Sequence, residues 1–119
     1  MNVEELREYA LSLPKVEENQ PWTEPQYEML ITYKVGGKWF MLEDPDKKFI
    51  DVKCDPEKIA EMQNRYEGAF QAWHMNKEHW LGVRLESDVP DATIRHLIKD
   101  GYNLIIGKLS KKTRESIGL

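Results

Sequence analysis

Cysteine and histidine, the residue types most often used as thiol nucleophiles, general bases near neutral pH and zinc ligands, are few in this chain: Cys54, His74, His79 and His96. A catalytic cysteine needs a neighbouring base and an accessible, electropositive position. Cys54 instead continues the inward phase of Ile50 and Val52, in a segment that alternates like a strand. We therefore expect Cys54 to be a buried, slowly reacting thiol.

Metal binding by Cys54, His74 and His79 is the next chemistry to consider. A structural zinc site needs four ligands, and the chain has neither a C-x-x-C motif nor a second close pair of ligands. Gly-rich phosphate loops and the G-x-S-x-G motif are also absent from the sequence. We expect no catalytic residue, no bound metal and no cofactor, and thus a binding protein rather than an enzyme.

The segment 73–80, with the sequence WHMNKEHW, concentrates two indoles, two imidazoles, an amide and an ammonium group. Aromatic and basic side chains together can stack on nucleobases and hold phosphates. The structural alternative is that Trp73 and Trp80 anchor the core and the residues between them form a polar loop.

A second candidate is the segment 108–114, which holds four cations and no acid, whereas residues 1–28 hold seven acids and two cations. The net charge of the chain is −4, which argues against a generally basic, nucleic-acid-coated surface. The cations of residues 108–114 would also suit the negative end of a preceding helix. The alternative is a patch that contacts phosphates.

Hydrophobic periodicity predicts the elements that must position these segments. Helices are expected over residues 2–13, from Asp55-Pro56 to about Gly68, and from Pro90-Asp91 to about Leu109. Strands are expected over residues 16–20, 27–35, 38–42, 49–54, 70–73 and 80–85, with Gly36-Gly37 at a hairpin tip. This order predicts an α+β fold, an antiparallel sheet with helices packed on one face. The side chains expected to be buried are Ile50, Val52, Leu81, Val83, Ile94, Leu97, Ile98 and Ile105.

The length of 119 residues matches one domain, spanning residues 1–119. A single cysteine excludes an intrachain disulfide, and the first residues lack the basic start and apolar run of a signal peptide. No apolar stretch approaches the roughly 20 residues needed to cross a bilayer. We expect a cytoplasmic protein without a membrane partner, and we favour a monomer.

Several short motifs occur in a fixed order along nearly the whole chain. They are Pro21-Trp22, Gly37-Lys38-Trp39-Phe40, His74-Met75-Asn76-Lys77, His79-Trp80, Val89-Pro90, Tyr102 and Lys108-Leu109-Ser110-Lys111-Lys112. In this order and spacing they resemble the MmcQ/YjbR family. The resemblance implies a fold like that of the frataxin-like CyaY proteins, a compact α/β sandwich, and DNA binding through a double-wing motif.

We therefore expect a non-enzymatic DNA-binding protein, with a regulatory role as one option. The residues expected to hold phosphates are Lys77, Lys108, Lys111, Lys112 and Arg114, and those expected to contact bases or sugars are His74, Asn76 and His79. Two alternatives stay open. One is a metal-handling protein that uses the acids of the first helix, as the frataxin-like fold implies, and the other is a module that binds proteins or small ligands.

Overall fold

The computed structural model describes residues 1–119 and contains six strands and four helices. Along the chain they are α1 (Val3–Ser12), β1 (Glu17–Asn19), β2 (Ile31–Val35), β3 (Lys38–Asp44), β4 (Phe49–Lys53), α2 (Pro56–Arg65), β5 (Ala69–Gln71), β6 (Trp80–Arg84), α3 (Asp91–Lys108) and α4 (Lys111–Ser116). No helix combines the length and the apolar character that a bilayer span requires.

The strands form one sheet in the order β1-β2-β3-β4-β6-β5, and every neighbouring pair is antiparallel. Helix α3 packs across β2, β3 and β4, and α2 packs against β5 and β6. The buried side chains of α1, α2 and α3 form a single core cluster with one face of the sheet, here called the helix face. The predicted α+β fold is therefore confirmed, as is the burial of all eight predicted core side chains.

Local chemistry explains where the main elements begin and turn. Asn2 caps α1 by accepting the Glu5 N–H at 2.8 Å, and the Glu5 carboxylate accepts the Asn2 N–H in return. Gly36 and Gly37 have φ values of +59° and +79°, which glycine adopts without steric cost, so the predicted hairpin tip is confirmed. A Cβ at Gly36 would lie 2.6 Å from Leu109, because the end of α3 rests on this turn.

The strand predicted over residues 27–35 starts only at Ile31, so the prediction for residues 27–30 is wrong. Residues 24–29 form turns, closed by hydrogen bonds from Tyr27 N–H to the Glu24 carbonyl and from Leu30 N–H to the Tyr27 carbonyl. Alternation alone suggested a strand, but the β2–β3 ladder ends at Ile31 and offers the earlier residues no partner. Leu30 is buried, whereas Tyr27 is 41% exposed.

A bulge in β3 determines which aromatic side chains reach the second face of the sheet, here called the open face. Tyr33 pairs with Met41, but the next residue, Lys34, pairs with Trp39. Phe40 is therefore the extra residue, and both Phe40 and Met41 belong to the core. Trp39 is thereby turned to the open face, where it contacts Trp22.

Candidate nucleic-acid interface

Four side chains form a row across the open face, close to the hairpin tip. Lys34 lies opposite Trp39 across β2 and β3, and Lys53 lies opposite Trp80 across β4 and β6. Their chain neighbours, including Tyr33, Val52 and Leu81, are in the core, so alternation directs the four side chains to the other face. We call this set the cation–indole row, because ammonium and indole groups alternate along it.

Lys53 and Lys108 are two ammonium groups that lie close together. Burial lowers the pKa of Lys53, and the positive charge of Lys108 lowers it further. Neither lysine is in an ion pair with a carboxylate. The Lys53 ammonium also lies 5.4 Å from the ring centre of Trp80, within the range of a cation–π contact. Two adjacent cations without an acid are suited to binding an anion.

The predicted cations of residues 108–114 lie at the same end of the sheet as this row. Leu109 rests on Gly36 at the hairpin tip, which directs α4 toward that tip. Lys111 forms a solvent-exposed ion pair with Glu115 at 4.0 Å, whereas Lys112 and Arg114 form none. Lys77 is exposed in the turn that leads into β6, whose first residue pairs with Lys53.

The segment 73–80 is held against the open face by the carboxylate of Asp51. Asp51 is fully buried and accepts the backbone N–H groups of Trp73, His74 and Met75 at 3.2, 2.8 and 3.1 Å. Burial raises the pKa of Asp51, and these three hydrogen bonds lower it in part. Asp51 could not be singled out from the sequence, because the position of an acid within a predicted strand does not indicate which backbone N–H groups its carboxylate will accept.

Asn76 and His79, two of the predicted contact residues in the segment 73–80, are exposed. Asn76 accepts the Glu78 N–H through its side-chain oxygen at 2.7 Å, and this bond closes the turn. The backbone carbonyl of His79 accepts the Cys54 N–H at 3.0 Å, while the His79 side chain stays exposed.

His74 is placed differently from Asn76 and His79. Its side chain is only 19% exposed, and its ring is stacked on Phe49 and Trp73 with both pairs of centroids 5.8 Å apart. The Nε2 atom is buried and lies 3.6 Å from a carboxylate oxygen of Asp44, too far for a hydrogen bond. The structure therefore packs His74 against Phe49 and Trp73, whereas Asn76 and His79 are exposed.

The two tryptophans of the segment also separate. Trp80 is only 7% exposed, in agreement with the structural alternative, whereas Trp73 is 53% exposed. Trp73 is stacked on Phe49, and the ammonium group of Lys47 lies 3.8 Å from its ring centre.

The YjbR family model matches residues 11–104 of the chain. This protein belongs to the YjbR family. It is 34% identical over 116 residues to the uncharacterized protein YbdF of Escherichia coli O157:H7, a match that covers 96% of this chain and 92% of that protein. It is 24% identical to the uncharacterized protein YjbR of Escherichia coli K12, covering 97% and 96% of the two chains. The predicted resemblance is thus confirmed.

Solved structures share the fold of this YjbR-family chain. A crystal structure of Deinococcus radiodurans protein DR2400, a DUF419 domain, superposes with a TM-score of 0.88 at 27% identity, covering 99% of this chain and 88% of that one. A crystal structure from Pseudomonas syringae, target PsR293, gives a TM-score of 0.74 at 28% identity, covering 87% and 98%.

Cys54 and the acids of α1 are the other groups considered from the sequence. Cys54 is 5% exposed, as expected, and burial raises the pKa of its thiol to about 11, so thiolate is scarce at neutral pH. No group of three or more His, Cys, Asp or Glu side chains is arranged to hold a metal ion. Among the acids of α1, Glu4 and Glu8 are exposed and Glu5 caps the helix.

Proposed function

We propose that this protein is a non-enzymatic nucleic-acid-binding protein that holds a single strand of DNA across the open face of its sheet. The observation that carries the proposal is the cation–indole row together with Lys108, where the ammonium groups of Lys53 and Lys108 have no carboxylate partner and Lys53 lies beside the indole ring of Trp80. Lys34, at the other end of the row, forms an ion pair with Glu17 at 3.9 Å. Cations that contact phosphates position a strand, and aromatic rings stack on its bases.

The phosphate contacts come from the end of the sheet near the hairpin tip. Lys53 and Lys108 form its centre, and Lys111, Lys112 and Arg114 extend it along α4. The rest of the surface is acidic enough to bring the net charge to −4, so we expect binding to be confined to this end. Affinity should therefore be modest and strongly dependent on salt.

The base contacts come from Trp39 and its neighbour Trp22. Both indoles are half-buried, and their ring centres are 5.6 Å apart in an edge-to-face arrangement. Side chains on a flat sheet face can stack only on bases that are not already stacked within a duplex. Single strands should therefore bind more tightly than duplexes of the same length.

Fluorescence anisotropy with a labelled 15-nucleotide strand, at about 50 and 200 mM salt, tests the proposal. Five phosphate contacts at about −0.7 each give a logarithmic salt slope of about −3.5, so this increase in salt should weaken binding on the order of a hundredfold. The double variant Lys53→Ala/Lys108→Ala should flatten the slope by about 1.4.

The matched control is Lys48→Ala/Lys58→Ala, which removes two lysines that are paired with Glu86 and Glu61 away from the row. This control should leave the slope unchanged. If wild-type protein does not bind either strand at low salt, or if the two double variants lose the same affinity, the proposal is wrong.

A further inference from the structure

A cavity of about 220 Å³ opens on the open face beside the cation–indole row. Its six lining residues, five of them hydrophobic, are Trp22, Tyr27, Leu30, Leu42, His74 and Met75. A larger cavity, about 740 Å³ between the hairpin tip and α4, has mostly polar walls instead. The cavity beside the row is therefore suited to an apolar or aromatic group.

Its walls favour a flat ring over other apolar groups. Indole, phenol and imidazole rings face it, and such rings prefer stacked or edge-to-face contacts with another ring. The thioether of Met75 adds a polarisable contact. Pockets for drug-sized molecules measure roughly 300–1,000 Å³, so this smaller cavity has room for one heterocycle and not for a whole nucleotide.

Part of the wall is fixed before any ligand arrives. His74 is held by the stack on Phe49 and Trp73, and its backbone N–H is bonded to Asp51 at 2.8 Å. Tyr27, on the other side, is 41% exposed and approaches the His74 ring edge-on at 6.5 Å. A rigid wall and an uncovered ring lower the entropic cost of binding a planar group.

The cavity is continuous with the row, because Trp22 lines the cavity and contacts Trp39, which lies beside Lys34. We infer that this cavity binds one unpaired base of a DNA strand whose phosphates lie on the cations beside it. The inference rests on the function proposed above and adds a specific site for the base. The cations of the row, which the cavity reaches through Trp22 and Trp39, favour a base joined to a phosphate over an uncharged ring or a protein side chain.

The test compares a labelled 15-nucleotide thymidine strand with a strand of equal length that carries abasic sites, both at low salt. The two strands have the same phosphates, so a difference in affinity reports the bases. Wild-type protein should bind the thymidine strand at least about tenfold more tightly, as expected for stacking. Tyr27→Leu should reduce that preference about tenfold and leave the salt slope unchanged.

Two control variants distinguish the loss of the Tyr27 ring from a general effect of substitution on the fold. Tyr27→Phe keeps the ring and should keep the preference. His96→Leu removes an exposed ring from α3, on the opposite side of the sheet, and should also keep it.

Equal loss in Tyr27→Leu and His96→Leu would overturn the base site, while a remaining preference for the thymidine strand and salt-dependent binding would still uphold the proposed function. Equal affinity of the wild-type protein for the two strands would overturn both the base site and the proposed stacking on Trp22 and Trp39. If neither strand binds, the proposed function fails and the base site fails with it.

Discussion

Replacing Asp51 should release the segment 73–80 from the open face. Its buried carboxylate accepts three backbone N–H groups, those of Trp73, His74 and Met75. Asp51→Ala leaves all three donors without an acceptor. Asp51→Asn keeps one oxygen acceptor but also turns an NH₂ group toward backbone donors.

The structure sets the size of this effect. A hydrogen bond to a charged acceptor contributes about 1.5–3 kcal/mol, so three bonds would give more than about 4 kcal/mol. Burial raises the pKa of Asp51 despite these bonds, which shows that the desolvation of the carboxylate outweighs them, so the loss in a variant comes mainly from buried backbone donors left without an acceptor. We therefore expect a loss of about 3 kcal/mol for Asp51→Ala and about 1–2 kcal/mol for Asp51→Asn.

Denaturant unfolding at neutral pH measures these values, and tryptophan fluorescence adds a local readout. For a chain of this size, a loss of about 3 kcal/mol corresponds to a fall in Tm of about 12 °C. The emission of the folded variant should shift to the red, because Trp73 loses its stack on Phe49. Asp46→Ala, which removes an acid from an exposed turn, serves as the control. The reasoning is refuted if Asp51→Ala loses less than about 1 kcal/mol or no more than this control.

Three further predictions concern the helix face and the hairpin. Burial is the main cause that raises the pKa of Glu43 above its ordinary value of 4.5, so the folded protein holds this proton more tightly than the unfolded chain. The free energy of unfolding should therefore fall as pH rises above 4.5 through the folded pKa, by about 1.4 kcal/mol for each pH unit between the unfolded and folded pKa values. Urea titrations at several pH values measure this fall, and Glu43→Gln should flatten that part of the pH profile. The pKa of Cys54 rises from 9.0 to about 11, which leaves about 100-fold less thiolate, so labelling of the folded protein should be at least about 100-fold slower than in denaturant; equal rates would contradict its burial. Gly36→Ala should cost about 1–2 kcal/mol in thermal unfolding, since alanine resists a φ of +59° and its Cβ would press on Leu109; an unchanged Tm would show that the turn adapts.

Much of the fold could be predicted because each element has a local signal. The burial of Ile50, Val52, Leu81 and Val83 on the helix face follows from alternation with period two. The start of α2 at Pro56 follows from a ring that fixes φ and lacks an N–H. Local steric and solvent preferences decide such features, so a single sequence contains them.

The aromatic content of the segment 73–80 and the positive charge of residues 108–114 were also evident from the sequence. Their separate roles were not. Trp73 is exposed and Trp80 is buried, although each is next to a histidine at an end of the same segment. Which of the two is covered depends on how the segment folds onto the open face.

Tertiary structure decided where the candidate site lies. Lys53 is an ordinary strand residue in the sequence, but pairing brings it opposite Trp80 and packing brings it beside Lys108, which is 55 positions later in the chain. The bulge that turns Trp39 outward depends on how β2 and β3 match their registers, and no residue type signals it. Contacts between distant residues form only when the whole core packs, so they are properties of the folded chain and not of any segment read alone.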